Sequence, residues 1–254
     1  MENKNELAVS DLLSKNGITQ ETLLTHANTL LDTMLDYKSL MLEYSCAIRE
    51  IRTRLEILDT EFQLKYQRNP INTIHTRLKS QTSIMEKMVR KNLPISKENI
   101  ESNLNDIAGI RVICSYIDDI YRIADALTNQ DDIELISKKD YIENPKPNGY
   151  RSMHLIVSVP VYFAEKKKRV KAEIQIRTIA MDFWASLEHQ IKYKKHISDP
   201  EKIAGQLKKC ADVISYTDLM MQNIRREIDD TQPEKSEMEV IYEKLKKFDV
   251  ELGK

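Results

Sequence analysis

Apolar residues recur every three or four positions through a long early stretch that contains neither glycine nor proline. Leu24, Leu31 and Leu35 illustrate this spacing, which is that of one face of a helix. We therefore predict two long helices or one bent helix over residues 19–68, after a polar lead-in at 1–18. A second helical pattern covers about residues 80–93.

The middle of the chain is rich in β-branched residues and alternates between apolar and polar positions, as half-buried strands do. Strands are predicted at 109–116, 133–137, 153–159 and 170–176. A helix at 118–127 follows the first strand, Pro160 ends the third, and a basic hairpin or loop at 166–169 precedes the fourth. Helical patterns return at 180–194 and at about 200–229.

This order of elements predicts an α+β fold in which helices flank a small mixed β-sheet. The long helical region would be followed by a core at 69–195 that contains the sheet. C-terminal helices at 196–230 and a charged tail at 231–254 complete the expected organisation.

Composition narrows the class of protein. The 254 residues carry a net charge of −1 and include 5 glycines and 7 prolines, which excludes a collagen, a disulfide scaffold and a wholly disordered chain. No stretch approaches the roughly 20 apolar residues of a membrane span, and no secretory signal is expected. The three cysteines form no CxxC pair, so we expect no zinc site and a reducing, cytoplasmic setting.

Several common catalytic motifs are absent from the sequence. It contains no GxxxxGK[ST], GxGxxG, HExxH or GxSxG pattern. The motifs typical of P-loop, Rossmann, zincin and serine-hydrolase sites are therefore excluded.

Two carboxylates are candidates for a metal site. Asp106 precedes the predicted strand at 109–116, and Glu173 lies on the polar side of the strand at 170–176, with Gln175 and Arg177. If those strands are adjacent, the two carboxylates would offer Mg²⁺ hard oxygen ligands, with phosphates completing the shell. A helix or turn cap is the simpler interpretation of Asp106 alone.

A local basic cluster surrounds the second helical pattern. Arg77 and Lys79 precede that helix, while Lys87, Arg90 and Lys91 share one of its faces. The cluster would suit a polyphosphate, since arginine donates two parallel hydrogen bonds to such groups. A solvated basic face remains the alternative.

The segment 148–154 combines a glycine, an aromatic ring, a base and a histidine at the start of a predicted strand. The ring of Tyr150 could stack on a nucleobase there. A buried structural tyrosine is the alternative.

Together these pieces closely resemble the synthetase domain of the RelA/SpoT family and, in size, the small alarmone synthetases. The matching runs are DIAGIR at 106–111, DYI at 140–142, GYRSMH at 149–154, EIQIRT at 173–178 and AMDFWASLEH at 180–189. The resemblance covers roughly residues 37–225. It implies a nucleotidyltransferase-like fold with long terminal helices. It also implies transfer of the pyrophosphate of ATP to the 3′-OH of GDP, GTP or GMP.

The resemblance also implies roles for individual residues. Asp106 would bind Mg²⁺, and Glu173 would either help to bind the metal or activate the acceptor 3′-hydroxyl. Those that would bind ATP are Arg77, Lys79, Lys87, Arg90, Arg111 and Lys139. Those that would bind the guanine nucleotide are Lys146, Tyr150, His154 and Gln175, and Asp182 stands where one subgroup has asparagine. A homotetramer without hydrolase activity is expected, and single-stranded RNA binding stays open.

Two other functions compete with this one. Another nucleotidyltransferase would usually carry a glycine-serine pair before an Asp-x-Asp motif, and neither is present. A non-catalytic RNA-binding or scaffold protein could use the basic helix, but it would have no need of both Asp106 and Glu173.

Overall fold

The computed structural model describes residues 20–66, 68–192 and 199–230. The predicted lead-in at 1–18 and charged tail at 231–254 lie outside these ranges. The described residues form six helices: α1 Gln20–Tyr66, α2 Gln81–Arg90, α3 Lys97–Asn103, α4 Ile117–Thr128, α5 Ile179–Lys192 and α6 Pro200–Asp230. They also form five strands: β1 Ile71–Leu78, β2 Ala108–Cys114, β3 Glu134–Asp140, β4 Met153–Tyr162 and β5 Lys167–Thr178.

The five strands make one mixed sheet in the order β1-β2-β5-β4-β3. Strands β2 and β5 are parallel, whereas all other neighbours in the sheet are antiparallel. The predicted α+β fold, a small mixed sheet with helical N- and C-terminal parts, is confirmed. None of the helices in the described ranges is long and apolar enough to cross a membrane.

One face of the sheet is apolar and packs on helices. Met153, Leu155 and Val157 are fully buried and alternate along β4 with the half-buried His154 and Ile156. Helix α4 and the part of α1 from Leu40 onward join these strands in one hydrophobic cluster. The opposite face is therefore left for the polar residues of each strand, as the alternating sequence predicts.

The long predicted helical region is a single helix, α1, and its two halves differ in burial. From Leu40 onward it contributes a row of buried apolar residues to the core. Before Leu40, the described side chains are mostly exposed, including those of Leu24, Leu31 and Leu35. The first half of α1 thus presents an apolar stripe to the solvent.

Two elements were not predicted. β1 is an edge strand with mostly exposed side chains, so it lacks the apolar alternation that a half-buried strand shows. α3 spans only seven residues, too few for a periodic pattern. Its one signal is Ser96, whose side chain accepts a hydrogen bond from the Asn99 backbone N–H and caps the helix.

The predicted boundaries of the β4–β5 hairpin were wrong at both strands. β4 continues past Pro160 to Tyr162, and the basic residues Lys167–Arg169 belong to β5 rather than to a loop. Pro160 is tolerated because β3 pairs with β4 only as far as Ser158, which leaves one edge of β4 free. The hairpin closes through the backbone bond from Phe163 N to Lys166 O.

A second, smaller hydrophobic cluster joins α5 to α6 around Trp184. Nearby, Asp218 of α6 is only 7% exposed and accepts a hydrogen bond from Thr178 Oγ1 at 2.6 Å. Burial raises the pKa of Asp218 above its usual value, and the hydrogen bond from Thr178 opposes this only partly. The folded state therefore disfavours the charged carboxylate.

We expect Asp218→Asn to raise the free energy of unfolding near neutral pH by about 1 kcal/mol. Because the pKa of Asp218 is higher in the folded than in the unfolded state, the wild type has its full stability at pH values below the unfolded-state pKa. It loses part of that stability as the pH rises through the folded-state pKa. The gain should therefore vanish at about pH 3, where Asp218 is protonated in both states. Thermal unfolding at both pH values measures it. Asp212→Asn on the same helix is the control and should give no gain, because Lys208 lowers the pKa of Asp212.

Candidate active site

Two rows of register partners cross the polar face of the sheet. One row, from β1 to β3, consists of His75, Arg111, Gln175, His154 and Lys139. The next row consists of Arg77, Gly109, Glu173, Ile156 and Ser137. Because Gly109 pairs directly with Glu173 across the parallel β2–β5 pair, the strand that Asp106 precedes is adjacent to the strand that carries Glu173. This is the condition that the metal hypothesis required.

Two cavities open above these rows and share the two carboxylates. The first, about 470 Å³, is lined by His75, Thr76, Arg77, Lys79, Asp106, Gly109, Ile110, Arg111, Glu173 and Gln175. The second, about 320 Å³, is lined by Lys87, Lys91, Asn103, Asn105, Asp106, Ser137, Lys139, Tyr141, His154, Ile156 and Glu173. Asp106 and Glu173 thus stand where two basic cavities meet.

Asp106 is held between two ammonium groups. Lys79 Nζ lies 2.7 Å from its Oδ2, and Lys87 Nζ lies 2.8 Å from its Oδ1. Burial alone would raise the pKa of Asp106, but the hydrogen bonds and charges of the two lysines outweigh it and lower the pKa. Asp106 is therefore a carboxylate throughout the neutral range.

Asp106 and Glu173 have the hard oxygen ligands that could hold a magnesium ion together with a phosphate ligand. The described ranges contain no group of three or more His, Cys, Asp or Glu side chains that could hold a metal by themselves. Mg²⁺ is often bound by only one or two carboxylates plus substrate phosphates, so Asp106 and Glu173 are a sufficient protein contribution. The lysines beside Asp106 would then be near enough to contact the same phosphates.

The second cavity is bordered by an aromatic cluster. Tyr150 Oη lies 2.7 Å from His154 Nε2, and the edge of Tyr141 contacts both rings. Lys146 Nζ lies 4.6 Å from the centroid of Tyr141 and 4.7 Å from that of Tyr150. This arrangement brings together a stacking platform and a cation, as recognition of a base with attached phosphates requires.

His154 is neutral at physiological pH. Its burial lowers the pKa to about 4, and the nearby positive charges of Arg177, Lys146 and Lys139 act in the same direction. One ring nitrogen therefore accepts hydrogen bonds while the other donates.

The loop before β4 is fixed by α5 and α6. Gly149 has φ +88°, a conformation that favours glycine, and a Cβ built there would lie 2.4 Å from the Cβ of Ala211 on α6. Asn148 Nδ2 donates to Glu188 Oε1 of α5 at 3.0 Å. The position of Tyr150 thus depends on how closely the backbone approaches α6.

The structure brings most of the predicted residues together. Arg77, Lys79, Lys87, Arg111, Lys139, His154, Gln175, Asp106 and Glu173 line one or both cavities. Lys146 and Tyr150 contact the aromatic residues beside the second cavity. Arg90 is the exception, since it ends α2 and lines neither cavity.

Lys139, predicted to bind ATP, lies beside His154 rather than near Arg77. The two basic residues are on opposite edges of the sheet. Four strand spacings of about 4.8 Å place them roughly 19 Å apart at the backbone. The structure groups Lys139 with the residues predicted to bind the guanine nucleotide.

From the sequence, Arg177 was placed beside Glu173 and Gln175, and Asp182 stood where one subgroup has asparagine, but no individual role followed for either residue. Tyr141 received none. Arg177 Nη2 donates to Tyr150 Oη at 2.6 Å, and Arg177 Nη1 donates to Asp182 Oδ1 at 3.1 Å. The alternation of β5 already places Arg177 on the face of Glu173, a signal that could have identified it. Nothing local in the sequence shows that Tyr141 packs against Tyr150.

Comparison with known proteins gives concordant matches. The family model described as the region found in RelA / SpoT proteins matches residues 76–198. The GTP pyrophosphokinase YwaC of Bacillus subtilis (strain 168) is 43% identical over 205 residues, which cover 81% of this chain and 98% of that protein.

Solved structures of small alarmone synthetases also match this chain over most of its length. The crystal structure of small alarmone synthetase 2 from Bacillus subtilis gives a TM-score of 0.69 at 43% identity, covering 76% of this chain and 99% of that one. Small alarmone synthetase 1 from the same organism, bound to its product pppGpp, gives 0.68 at 35% identity, covering 76% and 97%.

Proposed function

The chain belongs to the RelA/SpoT family, and we propose on that basis that it is an alarmone synthetase, a GTP pyrophosphokinase. It transfers the β,γ-pyrophosphate of ATP to the ribose 3′-OH of GDP or GTP, giving (p)ppGpp and AMP, with GMP as a further candidate acceptor. The observation that carries this function is the meeting of two basic cavities at Asp106 and Glu173. Such a site suits a reaction that joins two nucleotides.

ATP occupies the first cavity in this proposal. Arg77, Lys79 and Arg111 border it and supply positive charge for a triphosphate. Lys79 and Lys87 already flank Asp106, so they would contact the phosphates next to the point of transfer. Cations placed where charge develops stabilise the transition state of phosphoryl transfer.

The guanine nucleotide approaches from the second cavity. Tyr150 provides a ring on which the base stacks, while Lys139 and Lys146 supply charge for its phosphates. This placement directs the ribose toward Glu173, which borders both cavities.

The chemistry is an in-line displacement at the β-phosphorus of ATP. The 3′-oxygen of the acceptor forms a bond to that phosphorus, and the bond to the oxygen bridging the α- and β-phosphates breaks, so AMP leaves. Glu173 takes the proton of the 3′-hydroxyl. Asp106 and Glu173 would hold Mg²⁺, which when bound neutralises charge on the phosphate oxygens.

The test of this function is nucleotide analysis after incubation with ATP, Mg²⁺ and each of GMP, GDP and GTP. We expect one AMP for each acceptor that gains a diphosphate, and no reaction when the ion is removed with EDTA. Unchanged turnover in excess EDTA would contradict the metal assignment. ADP in place of AMP would contradict pyrophosphate transfer.

We also propose a cytoplasmic homotetramer. Apolar side chains are exposed on α1 before Leu40 and again on α6, at Val213, Tyr216, Ile224 and Ile228. Exposed apolar stripes of this length favour association, and closed symmetry is the usual outcome for soluble homo-oligomers. Binding of single-stranded RNA stays a prediction.

Light scattering tests the assembly. We expect a tetramer for the full chain and for a chain without residues 231–254. Removal of residues 1–36 should disturb assembly more, because it deletes the exposed stripe of α1. A monomer at micromolar concentration with full activity would contradict the proposal.

A further inference from the structure

A buried guanidinium lies beneath the aromatic cluster without lining either cavity. Arg177 is only 5% exposed, and Arg177 Nε donates to Ser152 Oγ at 3.4 Å. Its Nη2 donates both to Tyr150 Oη at 2.6 Å and to Gln175 Oε1 at 2.8 Å. A buried charge is costly unless hydrogen bonds satisfy it, so these contacts define one orientation of the side chain.

The chemistry of these groups fixes the direction of the hydrogen bonds. Arginine only donates, so the oxygen of Tyr150 accepts from Arg177 and keeps its own proton for another partner. That partner is His154 Nε2, 2.7 Å away, which therefore acts as the acceptor. With Tyr150 as the donor to Nε2, the ring proton of neutral His154 is on Nδ1, which lies 3.7 Å from Glu173 Oε1.

We propose that Arg177 is a positioning residue for the guanine nucleotide, an inference that rests on the proposed function. Through the hydroxyl of Tyr150 it orients the stacking ring and selects the His154 tautomer whose Nδ1–H faces Glu173. Arg177 itself touches neither substrate. It acts through the hydrogen-bonded series Arg177, Tyr150, His154 and Glu173.

The surroundings of His154 contain further charges, but none replaces the contact with Tyr150. Lys139 from β3 and Lys146 from the loop bring positive charge, and an ammonium group cannot accept a hydrogen bond from the ring. Tyr141 meets the imidazole edge to face, with ring centroids 5.2 Å apart. The Tyr150 hydroxyl at Nε2 and the Glu173 carboxylate facing Nδ1 thus both favour the tautomer in which Nε2 accepts.

Two variants break the hydrogen-bonded series from Arg177 to Glu173 at different points. Tyr150→Phe deletes one oxygen and leaves the stacking ring. Arg177→Gln removes the donor, but it also frees Asp182, which lies 3.4 Å from Arg111 Nη1 on the side of the first cavity. Tyr150→Phe is therefore the cleaner variant, and it carries the test if Arg177→Gln does not fold.

Steady-state kinetics should separate the substrates. We expect each variant to raise KM for GDP about tenfold, because each loses a buried hydrogen bond to a charged group. KM for ATP should rise less than about twofold. The double variant should be no worse than the more affected single variant, because both changes break the same series. Equal losses for both substrates, or losses that multiply in the double variant, would overturn the proposal.

The matched control is Arg225→Gln. Arg225 is an arginine whose side chain is 15% exposed; it pairs with the buried Asp119 and lines neither cavity. Its loss should lower the melting temperature and leave KM for GDP unchanged. A similar rise in KM for GDP in this variant would show that loss of stability alone explains the effect.

Nitrogen-15 NMR of the ligand-free, histidine-labelled protein near neutral pH reports the tautomer of His154 without any turnover. The signal of His154 is assigned by its absence in His154→Gln. The wild type should show the Nδ1–H form, and both variants should show a smaller fraction of it, because only Glu173 then favours it. An unchanged tautomer in Tyr150→Phe would overturn the proposal. An inactive protein with the expected tautomer change would instead contradict the proposed function while supporting the role of Arg177.

Discussion

Glu173→Gln lowers turnover by at least about 100-fold while the protein still folds, because it removes a negative charge from the point where the cavities meet. The substitution keeps the shape of the side chain, and the amide oxygen can still accept the hydrogen bond that Gln175 Nε2 donates at 3.1 Å. AMP formation under single-turnover conditions measures the loss. A thermal melt confirms the fold.

Glu101→Gln is the control for this substitution. Glu101 is also a half-buried carboxylate, and it pairs with Lys168 at the other end of β5, outside both cavities. Turnover should stay close to that of the wild type. Near-normal turnover in a folded Glu173→Gln protein would remove Glu173 from the reaction.

Gly149→Ala impairs both acceptor binding and stability, because the loop that carries Tyr150 has no room for a Cβ. The added carbon would lie 2.4 Å from Ala211 Cβ and 3.2 Å from Lys208 Cδ, at a residue whose φ is +88°. Relief requires α6 to move away from the loop. We expect unfolding to become easier by about 1–3 kcal/mol and KM for GDP to rise more than KM for ATP.

Gly205→Ala offers a matched control on α6. Among the described residues, nothing beyond its neighbours and the backbone of its own helix lies within 4 Å of a Cβ built at Gly205. Alanine is also the better helix former by about 1 kcal/mol. This variant should be more stable than the wild type and equally active. If Gly149→Ala behaved in the same way, the close approach of the loop to α6 would not matter for the acceptor.

The sequence was most informative where burial is periodic. In β5, the alternation of Ala172, Ile174 and Ile176 with polar residues predicted both the strand and the face that Glu173 occupies. The helical spacing of α1 was equally clear. In both cases a local pattern reports directly on which side of the element meets the core.

The features that the sequence did not predict depend on contacts between distant parts of the chain. β1 is held by pairing with β2, and its own exposed side chains carry little pattern. The ion pairs of Asp106 with Lys79 and Lys87 join segments separated along the chain, so spacing alone could not reveal them. Arg90 shares a helical face with Lys87 in sequence, yet it lies at the exposed end of α2.

The most direct test of the central claim follows labelled phosphate from ATP to the acceptor. With a label on the γ-phosphate and GDP as acceptor, the product should carry the label in a diphosphate on the 3′-oxygen, with unlabelled AMP released in equal amount. Phosphorus NMR identifies the position of the new group. Label found as free phosphate, or at the 5′ end of the guanine nucleotide, would contradict the assignment of this site to pyrophosphate transfer.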